Sequence, residues 1–451
     1  MVPAYGANRK GRCPKARPVP AENFGLRTAE QPMYIVGQEE IDAIARVIRD
    51  GSLFRYGIGG ECDRFEQRYA DYLGTGHVAL TASGTFALTA AVSALGIGPG
   101  DEVLVPAHTY MATAMAVLAA GAIPVIVDVD ESITIDPRAV EDALGPRTRA
   151  VIPVHMWGAA CNMDAIMEIA ARHDLLVLED TCQGIGGSYE GRRLGTIGHA
   201  GAFSFNYYKN ITAGEGGAVC TDDPKVAERA RCAIDPCHFY WQGRDDQQKP
   251  FAGNGARASE LMGAMLNVQL DRLPGMIEAM RAERERILAG TAGLGNLGLQ
   301  PSPMNSRAHD CAAHVMYIVP TAADADAFVD VFPSVIAGKT GRHNYTEWDQ
   351  ILIGEGAAHP AMNPYAMPQN QGCRRSYSRD MCRRSLDILD RTIMVPTHPL
   401  HSEAEIDDTI HNIEVAARVA LGGMTQAEAD IRNAAPVDAQ KFDLQTSSPS
   451  A

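Results

Sequence analysis

Leu175-Leu176-Val177-Leu178-Glu179-Asp180-Thr181-Cys182-Gln183, followed by Ala202-Phe203-Ser204-Phe205-Asn206-Tyr207-Tyr208-Lys209, is the stretch on which the reading of this chain turns. Four apolar residues in a row give way at once to two carboxylates, the pattern of a strand buried on both faces that becomes polar at its carboxyl end. Asp180 is thereby placed at a cleft, because ligand-binding groups in open α/β sheets collect at the carboxyl ends of strands. An Asp after a strand also serves as a helix N-cap, and taken alone that is the commoner role. Lys209 stands past a second apolar run and before the turn Thr212-Ala213-Gly214-Glu215-Gly216-Gly217. A lysine so placed can project its amine into the cleft, where desolvation favours the neutral, nucleophilic form. An isolated lysine is far more often a solvated surface group.

Outward from this stretch, short apolar runs alternate with helical patterns. Val103–Val105, Pro124–Val127, Ala150–Val154 and Leu175–Leu178 read as strands; Met111–Ala120, Pro137–Leu144 and Met163–His173 read as helices between them. The alternation predicts an α/β fold with a mostly parallel sheet. An earlier helix, Gln38–Asp50, carries Ile41, Ile44 and Ile48 on one face and ends at Gly51, the pattern of an amphipathic helix with a C-terminal stop. A long helix is expected over about Ser259–Gly290 and a strand over His314–Pro320. The resulting division is a tail at 1–31, a large α/β domain at 32–285, a smaller α+β domain at 286–424 and a second tail at 425–451, both tails being read as flexible.

The 451 residues carry a formal net charge of -15 and 46% hydrophobic residues, enough for a sizeable core and unsuited to nucleic acid or anionic membranes as partners. Ten cysteines lack the spacing of a zinc site or the density of a disulfide scaffold, so they read as reduced thiols in a cytoplasmic protein with no metal. No run reaches the ~20 apolar residues of a membrane span, and Met1–Pro20 lacks the apolar stretch of a secretory signal.

Two weaker signals fall at other strand ends. Ser83-Gly84-Thr85 precedes the helical stretch Phe86–Leu95, where free backbone N–H groups and hydroxyls can hold a phosphate. Tyr110, after the strand 103–105, can stack on a flat heterocycle, although a core tyrosine is the simpler reading.

In order and spacing these pieces, with Gly253-Asn254, Arg257, Ser259 and Glu260, resemble the DegT/DnrJ/EryC1/StrS family of fold-type I pyridoxal 5'-phosphate (PLP) enzymes, best known as sugar aminotransferases. The resemblance is strong over about Gly37–Leu273 and fainter toward Leu421. It implies an aspartate aminotransferase-like large domain. Lys209 would carry the cofactor as a Schiff base and shuttle the proton, Asp180 would hold the ring nitrogen, Gln183 the 3'-oxygen, and Tyr110 would stack on the ring. Ser83, Gly84, Thr85 and Ser204 would surround the phosphate, with Asn254 supplied by the other subunit of a homodimer. The implied reaction moves an amino group from glutamate or glutamine to a keto-sugar or keto-sugar acid by a ping-pong mechanism. Phe54, Arg55, Tyr56 and Arg257 are the candidate substrate contacts. Arg55 either binds an anion or is an exposed residue paired with an acid such as Glu61. The alternatives are an aminotransferase acting on an aminocyclitol-type cyclic ketone, a sugar dehydratase, in which the family places histidine where this chain has Lys209, and a non-catalytic regulatory homologue. Asp235–Lys249 and Arg342–Cys373 match no common pattern of the family.

Overall fold

A computed structural model describes residues 35–56, 59–242 and 249–425; the predicted tails lie outside them apart from Thr425. The helices are α1 (Gln38–Asp50), α2 (Glu61–Leu73), α3 (Gly84–Ala94), α4 (Ala112–Ala119), α5 (Pro137–Asp142), α6 (Met163–His173), α7 (Pro224–Ile234), α8 (His238–Gln242), α9 (Glu260–Gly290), α10 (Ala322–Val331), α11 (Asp349–Leu352), α12 (Arg383–Asp390) and α13 (Glu403–Ala420). The central sheet holds β1 (His77–Thr81), β2 (Glu102–Pro106), β3 (Ile123–Val127), β4 (Thr148–Val151), β5 (Leu176–Asp180), β8 (Ala200–Ser204) and β9 (Gly217–Thr221), between which the hairpin β6 (Ser188–Tyr189) and β7 (Arg192–Arg193) intervenes. A second sheet is built from β10 (Gln300–Pro301), β11 (His314–Ile318), β12 (Val335–Ile336) and β13 (Thr392–Pro396).

Strand order in the central sheet is β1-β9-β8-β5-β4-β2-β3, and β9 is antiparallel to both neighbours while the other pairs are parallel. Six strands therefore point the same way, and their carboxyl ends share one edge. β9 reverses because the chain after β8 returns through a short loop rather than through a helix, and a parallel neighbour needs a crossover. β2, β3, β8 and β9 are buried along their whole length, which accounts for their continuous apolar runs. α3 and α4 cover one face of the sheet and α6 covers the other, while α2 and α9 close the β1 side. Strand and helix boundaries differ from the sequence expectation by a few residues; β11, for example, ends at Ile318 rather than Pro320.

The isoleucine face of α1 is turned largely to solvent, although Ile44 is half-buried. Ile41 and Ile48 are each 57% exposed, while Glu40, Ala43 and Val47 are buried. Two causes are visible. Ala43 and Val47 lie against Ala264 of α9, a close helix contact that small side chains permit. Glu40 caps its own helix at the Gly37 N–H and accepts from Gln269 Nε2 at 2.8 Å and from Arg272, so this polar residue is drawn inward. In urea unfolding, Val47→Ala is expected to cost about 2 kcal/mol. Ile41→Ser is expected to stay within about 0.5 kcal/mol.

Candidate active site

The shared strand edge gathers most of the predicted residues. Ser83–Thr85 follow β1, Tyr110 follows β2, Asp180 ends β5 with Gln183 beyond it, and Ser204 ends β8 with Lys209 beyond it. Asp180 is 3% exposed. Its Oδ2 accepts from Thr113 Oγ1 at 2.7 Å and its Oδ1 from the Cys182 N–H at 3.1 Å. No cation lies within ion-pairing distance of it among the described residues. Burial pushes the Lys209 pKa below its ordinary value, opposed by the nearby Cys182 and Asp180. Burial in turn holds the Cys182 thiol well above its usual range.

At the other end of the edge, Ser83 caps α3 by accepting from the Phe86 N–H at 3.1 Å, and Gly84 and Thr85 occupy the first helical positions, whose N–H groups have no helical acceptor. Gly84 packs on Ser204 so closely that a Cβ there would lie 2.5 Å from the serine Cβ, and a Cβ on Gly217 would run into the Ser83 carbonyl. The result is a cradle of backbone and hydroxyl groups sized for an anion. A buried carboxylate without a counter-cation, an enclosed amine and this cradle together fit a PLP group.

The substrate candidates divide. The Tyr56 hydroxyl donates to Asp235, which is 1% exposed and also accepts from Arg257 Nη1 at 3.0 Å; Phe54 is exposed and meets Tyr56 edge-on. Asp235, missed by the sequence reading, is thus the hub joining two of the predicted residues. Arg55 is neither exposed nor paired with Glu61. It is 8% exposed, with Nη1 on Asp63 at 2.6 Å and Nη2 on Glu66 at 2.7 Å, and those carboxylates hold its pKa above the usual value against the cost of burial. An external anion at Arg55 would have to displace one of them. Asn254 is exposed, its N–H bonded to Ala233 O at 3.0 Å, and no hydrogen bond among the described residues ties its side chain to Gly84, Thr85 or Ser204.

A further group reaches the edge from residues 342–345, which the sequence reading did not assign to the site. Residues 342–345 are zipped onto residues 107–111: Tyr345 N donates to Ala107 O at 3.0 Å, Thr109 N to His343 O at 2.8 Å and Met111 N to Arg342 O at 3.2 Å. His343 thereby sits 4.8 Å from the Trp157 ring and 5.6 Å from that of Tyr110, centroid to centroid, and the Arg342 guanidinium lies 5.4 Å from the Tyr110 centroid. Trp157 has φ +53°, a strained backbone for a non-glycine residue, and its N–H donates to Gln183 Oε1 at 3.1 Å. Its indole Nε1 donates to His108 Nε2 at 3.0 Å, and His108 Nδ1 meets Asn344 Oδ1 at 2.8 Å. Asn344 spends its Nδ2 on two carbonyls, so the network assigns His108 as neutral with its proton on Nδ1. No signal in the local sequence pairs 108 with 344; only the fold does.

The family model for the DegT/DnrJ/EryC1/StrS aminotransferase family matches residues 35–344, more than half of the chain. The chain belongs to the DegT/DnrJ/EryC1/StrS aminotransferase family. Among curated relatives, the dTDP-3-amino-3,4,6-trideoxy-alpha-D-glucose transaminase of Streptomyces venezuelae is 43% identical over 259 residues, 57% of this chain and 66% of the relative. The L-glutamine:2-deoxy-scyllo-inosose aminotransferase of Micromonospora echinospora is 38% identical over 279 residues, 58% of this chain and 64% of the relative. These matches span just under two thirds of either relative's length. The crystal structure of S. venezuelae DesV with a ketimine intermediate superposes with a TM-score of 0.67 at 32% identity, over 84% of this chain and 94% of that one. With neighbours of this kind, the fold of this family member is that of the PLP fold-type I aminotransferases.

Burial lowers the pKa of His108 to about 4, of His314 to about 4 and of His343 to about 3. The unfolded chain binds protons at these rings near pH 6.5, before the folded chain does, so stability is full above that pH and falls as pH drops toward 4. For the fully buried His108 the fall is about 1.4 kcal/mol per pH unit. His108→Gln, which preserves both hydrogen-bond directions, is expected to flatten the decline in unfolding free energy measured from pH 6.5 to 4.

Proposed function

We propose that this chain is a PLP-dependent aminotransferase that takes an amino group from glutamate or glutamine and gives it to a keto-sugar or keto-sugar acid in two alternating half-reactions. The observation that carries this reading is the half-buried Lys209 beside the buried Asp180 carboxylate, which has no ion pair among the described residues. PLP, when bound, supplies an electron sink for the substrate carbon that loses its proton. Asp180, fixed by Thr113 and the Cys182 N–H, keeps a negative charge where a protonated ring nitrogen would lie. Gly84, Thr85, Ser83 and Ser204 would hold the phosphate. Gln183, its Oε1 already engaged by Trp157, has its amide N–H groups for the ring oxygen. Tyr110 would cover the ring.

Lys209 is both nucleophile and proton carrier. Its Nζ, with its pKa lowered by burial, gives up its proton at less cost than a solvated lysine, and the neutral amine can then accept the proton that the reacting carbon loses. Phe54, Tyr56 and Arg257, the last two held by Asp235, would form the acceptor's wall; Arg55 supports that wall from behind through its two carboxylates. The exposed aromatic rings of Tyr207, Tyr208 and Phe54 are surface suited to a second subunit, and the exposed Asn254 would reach the partner's phosphate cradle in a cytoplasmic homodimer.

The two curated relatives differ in acceptor, one named for a dTDP-sugar and the other for a cyclitol ketone, so both classes are tested together. Incubated with glutamate or glutamine and each ketone class, the protein should release 2-oxo acid and amino product with a nucleotide-linked keto-sugar. Lys209→Ala should lower kcat by more than about a thousandfold, since it removes nucleophile and proton carrier together. Turnover with the cyclitol ketone alone would assign the second acceptor class, and 2-oxo acid formation by Lys209→Ala at the wild-type rate would overturn the reading.

A further inference from the structure

A cavity of about 360 Å³ opens between α2, the stretch 186–193 and α9, with Tyr72, Gly186, Arg193, Ile277, Glu278 and Arg281 in its lining. None of the residues assigned above lines it. Its volume falls at the low end of the ~300–1,000 Å³ typical of small-molecule pockets. Gly186, with φ +86°, forms part of the wall, and a Cβ there would lie 2.7 Å from Ile277 Cγ1.

The charge arrangement is the unusual feature. Arg193 lies over Tyr72, its guanidinium carbon 4.2 Å from the ring centroid, and its Nη1 donates to Gly186 O at 3.2 Å. Arg281 donates from Nε to the carbonyl of Asp310 at 2.7 Å and from Nη2 to that of His309. Neither guanidinium meets a carboxylate within ion-pairing distance among the described residues, although the chain has 55 acidic residues to 40 basic ones. The nearby Asp310 carboxylate is already taken by Arg284. Burial, with the like charges of Arg284 and Arg193, holds the Arg281 pKa below its ordinary value. Two half-buried cations are thus held side by side by backbone carbonyls, with N–H groups left over and no anion between them.

We propose that this cavity binds a phosphorylated small molecule, its phosphate held by Arg193 and Arg281 and its organic part resting on Tyr72 and Ile277. Guanidinium forks suit phosphate oxygens, and the cavity exceeds what a bare phosphate fills. Glu278 stands exposed on the rim, where its carboxylate opposes an anion. This gives the test a sign that loss of structure does not imitate.

The probe is inorganic phosphate, titrated calorimetrically into protein saturated with PLP so that the Gly84–Ser204 cradle is filled. The inference does not rest on the cofactor reading, since the arginines here are remote from that cradle in the sequence and in their contacts. One saturable site per chain in the millimolar range is expected. Arg193→Gln should weaken it by about tenfold or more, the loss of a charged hydrogen bond. Glu278→Gln should tighten it by about threefold. Absence of saturable binding overturns the proposal, as does binding that neither variant alters. If Arg193→Gln does not fold, Glu278→Gln decides: tighter binding supports the site, and unchanged or weaker binding overturns it.

Discussion

The site depends on one electrostatic constraint, a carboxylate taken out of water at a strand end without a neighbouring cation to neutralise it. Burying a charge is costly unless hydrogen bonds or an opposite charge compensate. Among the described residues, the Asp180 carboxylate accepts from the Thr113 hydroxyl and the Cys182 N–H. The Lys209 amine adds an attraction at longer range, which favours its protonated form against the burial that disfavours it. Both residues are held where they are by the sheet. Asp180 closes β5, the chain enters the Lys209 loop from β8, and the two strands are parallel neighbours paired from Leu178 to Ala200 through Asp180 to Ala202. The same pairing supports the cradle at Ser83–Thr85, because Ser204 at the end of β8 is the residue against which Gly84 packs.

Behind Asp180, Glu179 points the other way and secures the sheet edge. It is fully buried, accepting from the Gly195 N–H at 2.8 Å, the Ile197 N–H at 2.6 Å and the Gly198 N–H at 2.7 Å, and from His155 Nε2 at 3.0 Å. His155 Nδ1 accepts from the Cys161 N–H at 3.2 Å, which leaves its proton on Nε2 facing the carboxylate. Adjacent acids in one strand thus serve opposite purposes, as the alternation of side chains across a strand requires. One braces the loop after β7, and the other faces the cleft.

What could be read from the chain alone follows from how local each signal is. The strand 176–180 and the helix 163–173 declare themselves through composition, and the position of Asp180 follows from its place after an apolar run. The inward face of α1 could not be read in this way. Three isoleucines mark one face as apolar, but the contact with α9 selects the small Ala43 and Val47, and the Arg272 partner of Glu40 lies 232 residues away in sequence. Arg55 was misjudged because no periodicity marks a buried ion pair: it lies in the loop before α2, and its partner Glu66 is a buried residue of that helix 11 positions on. The link from His108 to Asn344 spans 236 residues, so Trp157, His343 and Arg342 enter the site only through the folded sheet edge.

We propose that the Lys209 amine faces the place where an aldehyde cofactor would sit beside Asp180. Borohydride reduction of the protein after incubation with PLP, followed by peptide mapping, tests this directly. The account predicts a single phosphopyridoxyl label on Lys209, formed at one equivalent per chain and much reduced in Asp180→Ala. Label spread over other lysines, or undiminished on Lys209 when Asp180 is gone, would contradict it.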